Sequence, residues 1–192
     1  MAAALRVFAR RGYKEAGVDE IAAEAGYSKG ALYWHFAGKE ELLFALLEER
    51  IDKPMREMVA LLESAPVEQD MSVEASREFA RKLTEDRDAV LLEREYWSLA
   101  LRDPELRARY VEREAELRTQ LARAMQARAR HLGTPDLGIA EDVARVVMTI
   151  IRGLSEDELI EPGSVRPELL GETLALIYIG LVARARLAEA PA

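Results

Sequence analysis

Lys29 stands one residue after Ser28 and three after Gly26, where a helix is expected to begin. An ammonium held there can donate to O6 and N7 of a guanine edge or to a phosphate oxygen, and both roles are open to it. Gly30 lets a partner approach the backbone closely, and Tyr27 and Ala31 are placed to touch base edges or thymine methyls. Lys39 falls at the start of the next helical pattern, where its charge and the helix N-terminus together attract a phosphate. Trp34 faces either a nucleic-acid backbone or the domain's own surface.

Little in the chain suits catalysis. Its two histidines are His35, inside the same cluster, and His131, at a helix end beside Gly133. There is no cysteine, so thiolate zinc sites, disulfides and cysteine nucleophiles are excluded. No phosphate-binding loop, dinucleotide glycine motif, metal-ligand spacing or histidine–carboxylate set is present, and the many carboxylates fall on solvated faces. The expectation is a protein that is not an enzyme, with no metal site and no cofactor.

The elements that must carry Lys29 are read from Gly, Pro and the apolar period. A first helix is expected from Ala2 to Arg11, stopping at Gly12-Tyr13, with Leu5, Phe8 and Ala9 on one face. A second runs Val18–Ala25, and a third Lys29–Phe36 with Ser28 as N-cap. This is helix-turn-helix spacing: Ala22 permits close approach of the two helices, Gly26 the turn, and Leu32 packs back. A long helix starts at Lys39 or Glu40, with a kink or break at Pro54.

The stretch GY-x4-V-x2-IA-x3-AG-x-SKGALYWHF-x2-KEEL resembles the DNA-binding domain of the TetR family of transcriptional regulators, over about the first 50 residues. The resemblance implies that Tyr33 and His35 hydrogen-bond phosphates; a core aromatic and a plain surface histidine are the alternatives. It also implies a DNA-binding transcriptional regulator, mostly a repressor, working as a homodimer on a near-palindromic operator in double-stranded DNA and released by a small-molecule effector. Three positions depart from the family pattern. Its usual hydroxyls are replaced by Ala16 and Gly17, so a phosphate contact there rests on backbone N–H groups such as that of Gly17, or is lost; Ala31 replaces a threonine. The family's basic arm either is lacking, which weakens phosphate binding, or lies upstream of Met1.

The remainder reads as five further helices, at 72–86, 88–102, 104–132, 139–157 and 166–188, giving an all-α chain. A helix-turn-helix domain over 1–46 is followed by a ligand-binding and dimerisation domain over 47–192. The last two helices are apolar nearly all round, so each needs two partners; pairing across a homodimer supplies the second. Met58, Leu62, Tyr96, Trp97, Tyr110, Met125, Met148 and Ile151 are the candidate lining of a pocket for an apolar or amphipathic effector, with ordinary core as the alternative. The acidic run at 155–158 with Glu161 reads as a solvated helix end or loop.

Composition bounds these readings. The net charge is −8, but residues 1–39 hold six basic and four acidic side chains, so a mildly basic head sits on an acidic remainder. No apolar run is long enough for a membrane span, and the N-terminus has no signal-peptide layout, so a cytoplasmic protein is expected. The rival reading is a helical adaptor that binds a partner protein without specific DNA binding.

Overall fold

The computed structural model describes residues 1–64, 73–74, 77–78, 81, 86–131, 133 and 137–189, and all regular structure among them is helical. In chain order the helices are α1 (Ala2–Glu15), α2 (Val18–Glu24), α3 (Lys29–His35), α4 (Lys39–Leu47), α5 (Lys53–Ser64), α6 (Arg87–Ala100), α7 (Pro104–His131), α8 (Ala140–Ile160) and α9 (Leu169–Glu189). Most of the helix expected at 72–86 lies outside the described residues. No helix among them is long and apolar enough to cross a membrane.

Two compact units form: Met1–Pro54 with Asp86–Glu112, and Met55–Glu85 with Arg113–Ala192. The first therefore draws in α6 and the start of α7, which a single cut after residue 46 would separate from α1 to α4. Its core joins Leu5, Val7, Phe8 and Ile21 to Leu42, Leu43, Leu46, Leu92 and Tyr96. Burying each such side chain contributes roughly 1.5–3 kcal/mol. Tyr96 also donates its hydroxyl to the Leu106 carbonyl at 3.2 Å, and its ring meets those of Phe44 and Tyr110 edge-on, with centroids 5.4 Å away in each case. The second core joins Met125, Ala129 and Leu137 to Val143, Val147 and Leu181, with Leu62, Leu121, Ile151, Leu174 and Ile177 against it.

Helix α1 does not stop at Gly12, as the sequence suggests. The glycine leaves helical geometry at φ 76°, ψ 156°, and a further helical turn follows to Glu15. Glu95 of α6 explains the site: its carboxylate accepts the Tyr13 backbone N–H, and a Cβ at Gly12 would lie 3.0 Å from Glu95 Oε1. Only glycine tolerates both the backbone angles and the approach.

Pro54 acts where expected, but by widening a turn. Lacking an N–H, it cannot continue the α-helical ladder. Residues Glu48–Asp52 form a π turn in which Lys53 N–H bonds Glu48 C=O, and helical structure continues into α5. Helix α7 starts on Asp103, whose Oδ1 accepts from Glu105 N–H (2.9 Å) and Leu106 N–H (3.2 Å), with Pro104 at the first helical position. The acidic run at 155–158 is helical, and Glu158 accepts from the Gly163 and Val165 amides after the helix ends.

Candidate nucleic-acid interface

The turn between α2 and α3 is built from local bonds. Gly26 takes φ +72°, where other residues are strained, and Tyr27 N–H bonds the Ala22 carbonyl at 2.9 Å. Ser28 caps α3 as expected: its Oγ accepts from Ala31 N–H at 3.2 Å. Gly17 caps α2 in extended geometry with no side-chain bond, and Ala16, in place of the family's hydroxyl, is buried in the core.

Helix α3 has no buried residue; Leu32, together with Phe36 at the helix's C-cap, packs against the core. Both are half-buried. Its other face is open to solvent: Tyr27, Ser28, Lys29, Gly30, Tyr33, Trp34 and His35 are exposed, Ala31 half so. Tyr33 is 47% exposed, so it is not a core aromatic; Trp34 is 84% exposed and makes an edge contact with His35. A protruding helix with an aromatic, cationic and small-residue face fits the width of a DNA major groove.

The cations are less free than their sequence count suggests. Lys29 Nζ lies 2.9 Å from Asp19 on α2, and this contact raises the lysine's pKa. Arg6 pairs with Glu24 at 2.8 Å, Arg10 with Glu24 (2.8 Å) and Glu20 (3.1 Å), and Arg11 with Glu20 (3.4 Å). Hydrogen bonds from Arg10 hold the Glu20 and Glu24 carboxyls below the usual range, helped by Arg11 at Glu20 and Arg6 at Glu24. These pairs brace α1 against α2.

Lys39, expected to meet a phosphate, is spent within the protein. Its ammonium donates to the Lys14 (2.9 Å) and Ala16 (3.1 Å) carbonyls and lies over the Tyr13 ring, 4.6 Å from the centroid. It thus satisfies carbonyls left open at the end of α1.

The eight residues expected to line an effector pocket divide between the units. Tyr96, Trp97 and Tyr110 belong to the first, where Tyr96 is fully buried and Arg94 stacks on Trp97 at 4.4 Å. Met58, Leu62, Met125, Met148 and Ile151 belong to the second; Leu62, Met125 and Ile151 meet at its core. Sequence reading missed Asp19, Glu95, Arg128 and Tyr178. Each is an ordinary residue on a helical pattern, and only the fold gives it a partner or buries it.

Residues 1–46 match the profile described as bacterial regulatory proteins, tetR family, and residues 68–177 that of the BetI-type transcriptional repressor, C-terminal. The repressor AcnR of Corynebacterium diphtheriae is 30% identical over 151 residues, 78% of this chain and 74% of AcnR. The regulator SrpR of Pseudomonas putida is 52% identical over 48 residues, a quarter of this chain, and this chain spans only 22% of SrpR's length. A TetR-family member from Streptomyces coelicolor A3, of known structure, is 27% identical with a TM-score of 0.68, covering 94% of each chain. With the reading head at its N-terminus and a BetI-type region through most of the rest, the chain belongs to the TetR family of bacterial regulatory proteins.

Proposed function

We propose that this chain is a cytoplasmic, homodimeric transcriptional repressor that reads a near-palindromic operator with one α3 per protomer and is released by a small apolar or amphipathic effector. The observation carrying this reading is the free outer face of α3, presented by a capped helix-turn-helix. One such helix spans few base pairs, so affinity requires two copies set about one DNA turn, roughly 34–36 Å, apart. Helices α8 and α9 are the proposed pairing surface: Val146, Leu176 and Ile179 are large apolar side chains left exposed. The effector site is placed in the second unit, around Leu62, Met125 and Ile151, whose flexible and branched side chains can repack about an apolar guest. Repression, rather than activation, follows the wording of the matching family description.

The test is a fluorescence-anisotropy titration with duplexes from the region upstream of the gene. Saturable binding that weakens steeply with salt is expected, because each phosphate contact releases counterions. The double variant Lys29→Ala, Tyr33→Ala removes a base or phosphate donor and an exposed phenol, and should lose most operator affinity. Unchanged affinity would remove these residues from the interface. No saturable binding by the unaltered protein would favour the adaptor reading.

A further inference from the structure

The acidic side chains of α2 serve two different neighbours. Glu20 and Glu24 turn to Arg6, Arg10 and Arg11 of α1. Asp19, in the first turn of α2, turns to α3, where the Lys29 ammonium lies 2.9 Å from its Oδ1 and 3.0 Å from its Oδ2. Both side chains are more than half exposed. Lys29 belongs to the open face of α3, so it draws the Asp19 carboxylate to the edge of that face. An ammonium has about three donors and an ionised carboxylate about four acceptor positions, so the pair leaves donors and acceptors unused. What α3 presents there is a donor beside an acceptor rather than a lone cation. An acidic side chain opposes binding to DNA unless a base offers it a donor, and the donors on major-groove edges are cytosine N4 and adenine N6.

We propose that Lys29 and Asp19 act as one unit that reads a G·C pair in each operator half-site: the ammonium donates to guanine N7 and O6, and the Asp19 carboxylate accepts from N4–H of the paired cytosine, with the ion pair kept intact. This rests on the reading that α3 enters the major groove of an operator. Guanine O6 and cytosine N4 are joined by a Watson–Crick hydrogen bond, so they lie about 2.9 Å apart. Lys29 Nζ and Asp19 Oδ1 have the same spacing, 2.9 Å. Donor therefore stands over acceptor and acceptor over donor without either side chain giving up the other. An A·T pair fits less well, because adenine offers the ammonium N7 alone and thymine O4, beside adenine N6, repels the carboxylate. A reversed pair sets the carboxylate against O6 and N7. On a duplex with no matching pair the carboxylate only repels, so Asp19 also lowers affinity for wrong sequences.

The test uses the full chain. An operator is selected from a pool of random duplexes, and its G·C pairs are replaced one at a time by two base analogues. In 7-deazaguanine the N7 acceptor is gone; in N4-methylcytosine a methyl group replaces the groove-facing N4 hydrogen. At one G·C position per half-site each analogue should weaken binding roughly fivefold to tenfold, the scale of one base-edge contact. In Asp19→Ala the N4-methylcytosine penalty at that position should vanish while the 7-deazaguanine penalty remains. In Lys29→Ala the 7-deazaguanine penalty should vanish. This crossed pattern separates contact with the base from a merely structural role, which would weaken all duplexes alike. Both side chains are exposed, so neither replacement should disturb the fold, and unchanged helical circular dichroism checks this. A selected operator at which no G·C pair shows the crossed pattern, or one that places adenine at the position sensitive to Asp19, would overturn the assignment and leave the repressor reading standing. A pool from which no sequence is enriched would overturn the repressor reading and this assignment with it.

Discussion

The Lys29 ammonium lies 2.9 Å from the Asp19 carboxylate, so the best base-reading candidate of α3 is paired to α2 before DNA arrives. Both side chains are more than half exposed, and such surface pairs contribute only about 0–1 kcal/mol. DNA can therefore displace Asp19, but it must also accept a carboxylate near its phosphates. Asp19→Asn is expected to strengthen binding to non-operator duplex, up to about fivefold for a pair of this strength. It should also steepen the logarithmic salt slope by about one, because Lys29 is then free to neutralise one more phosphate and release a counterion condensed on the DNA. Anisotropy titrations at several salt concentrations read both effects. Weaker binding to every duplex would show that Asp19 itself takes part in recognition.

Gly12 is expected to tolerate no substitution. Gly12→Ala places a Cβ at φ 76°, ψ 156° and against the Glu95 carboxylate that bonds the Tyr13 amide. Residues held in such regions cost about 1–3 kcal/mol each. The loss should appear as a lower denaturant midpoint with an unchanged slope. Replacing Glu95 as well would relieve the contact but leave the backbone strain, so the double variant should recover only part of the loss. A variant as stable as the parent would contradict the described kink.

What the sequence disclosed, and what it hid, follows from the range of each interaction. The turn at Gly26, the Ser28 cap and the free face of α3 are set by residues a few positions apart, and all were legible. Gly12 reads as a helix stop because the cause of its kink is distant: the Glu95 carboxylate is 82 residues from the Tyr13 amide it accepts. Lys39 looked like a phosphate ligand because it begins a helix; that its ammonium ends on carbonyls 23 and 25 residues earlier depends on where α1 finishes. The candidate effector lining was chosen by residue type, and type cannot tell which of two cores a residue joins. Tyr96 therefore lies in the first core with its hydroxyl satisfied, while Tyr178, on a helix of the second unit, buries a hydroxyl that makes no hydrogen bond among the described residues.

Acid should loosen the reading head through Glu20 and Glu24. Both carboxyls are held below their ordinary value of 4.5 by bonds to Arg10, with Arg11 helping at Glu20 and Arg6 at Glu24. A lowered folded-state pKa contributes stability that is present above the ordinary value and lost as pH falls through the folded one. Hydrogen exchange of the α2 amides should therefore be pH-independent in protection from neutrality to about pH 5, then lose protection below the ordinary carboxylate range. In Glu20→Gln, Glu24→Gln that acid-induced loss should shrink, and salt should mimic it in the unaltered chain because the pairs are exposed. Protection of α2 that persists undiminished to strong acid would rule out these pairs as its brace.

Pairing of protomers is expected to depend on the outer face of α9. Leu176 is 71% and Ile179 64% exposed, on a helix whose opposite side already packs Leu174, Ile177 and Leu181 into a core. A helix apolar on two sides is stable in water only when both are covered. Replacing Leu176 and Ile179 by glutamate leaves the inner stripe intact and places two like charges at the proposed seam, where a two-fold interface would oppose each to its mate. Light scattering after size exclusion should then give a monomer with unchanged helical circular dichroism. Operator affinity should fall far more than it does in Lys29→Ala alone, because one head without its mate loses the second half-site rather than a single contact. A double-glutamate variant that stays dimeric would move the interface elsewhere, and one that becomes monomeric yet binds the operator undiminished would show that a single head suffices.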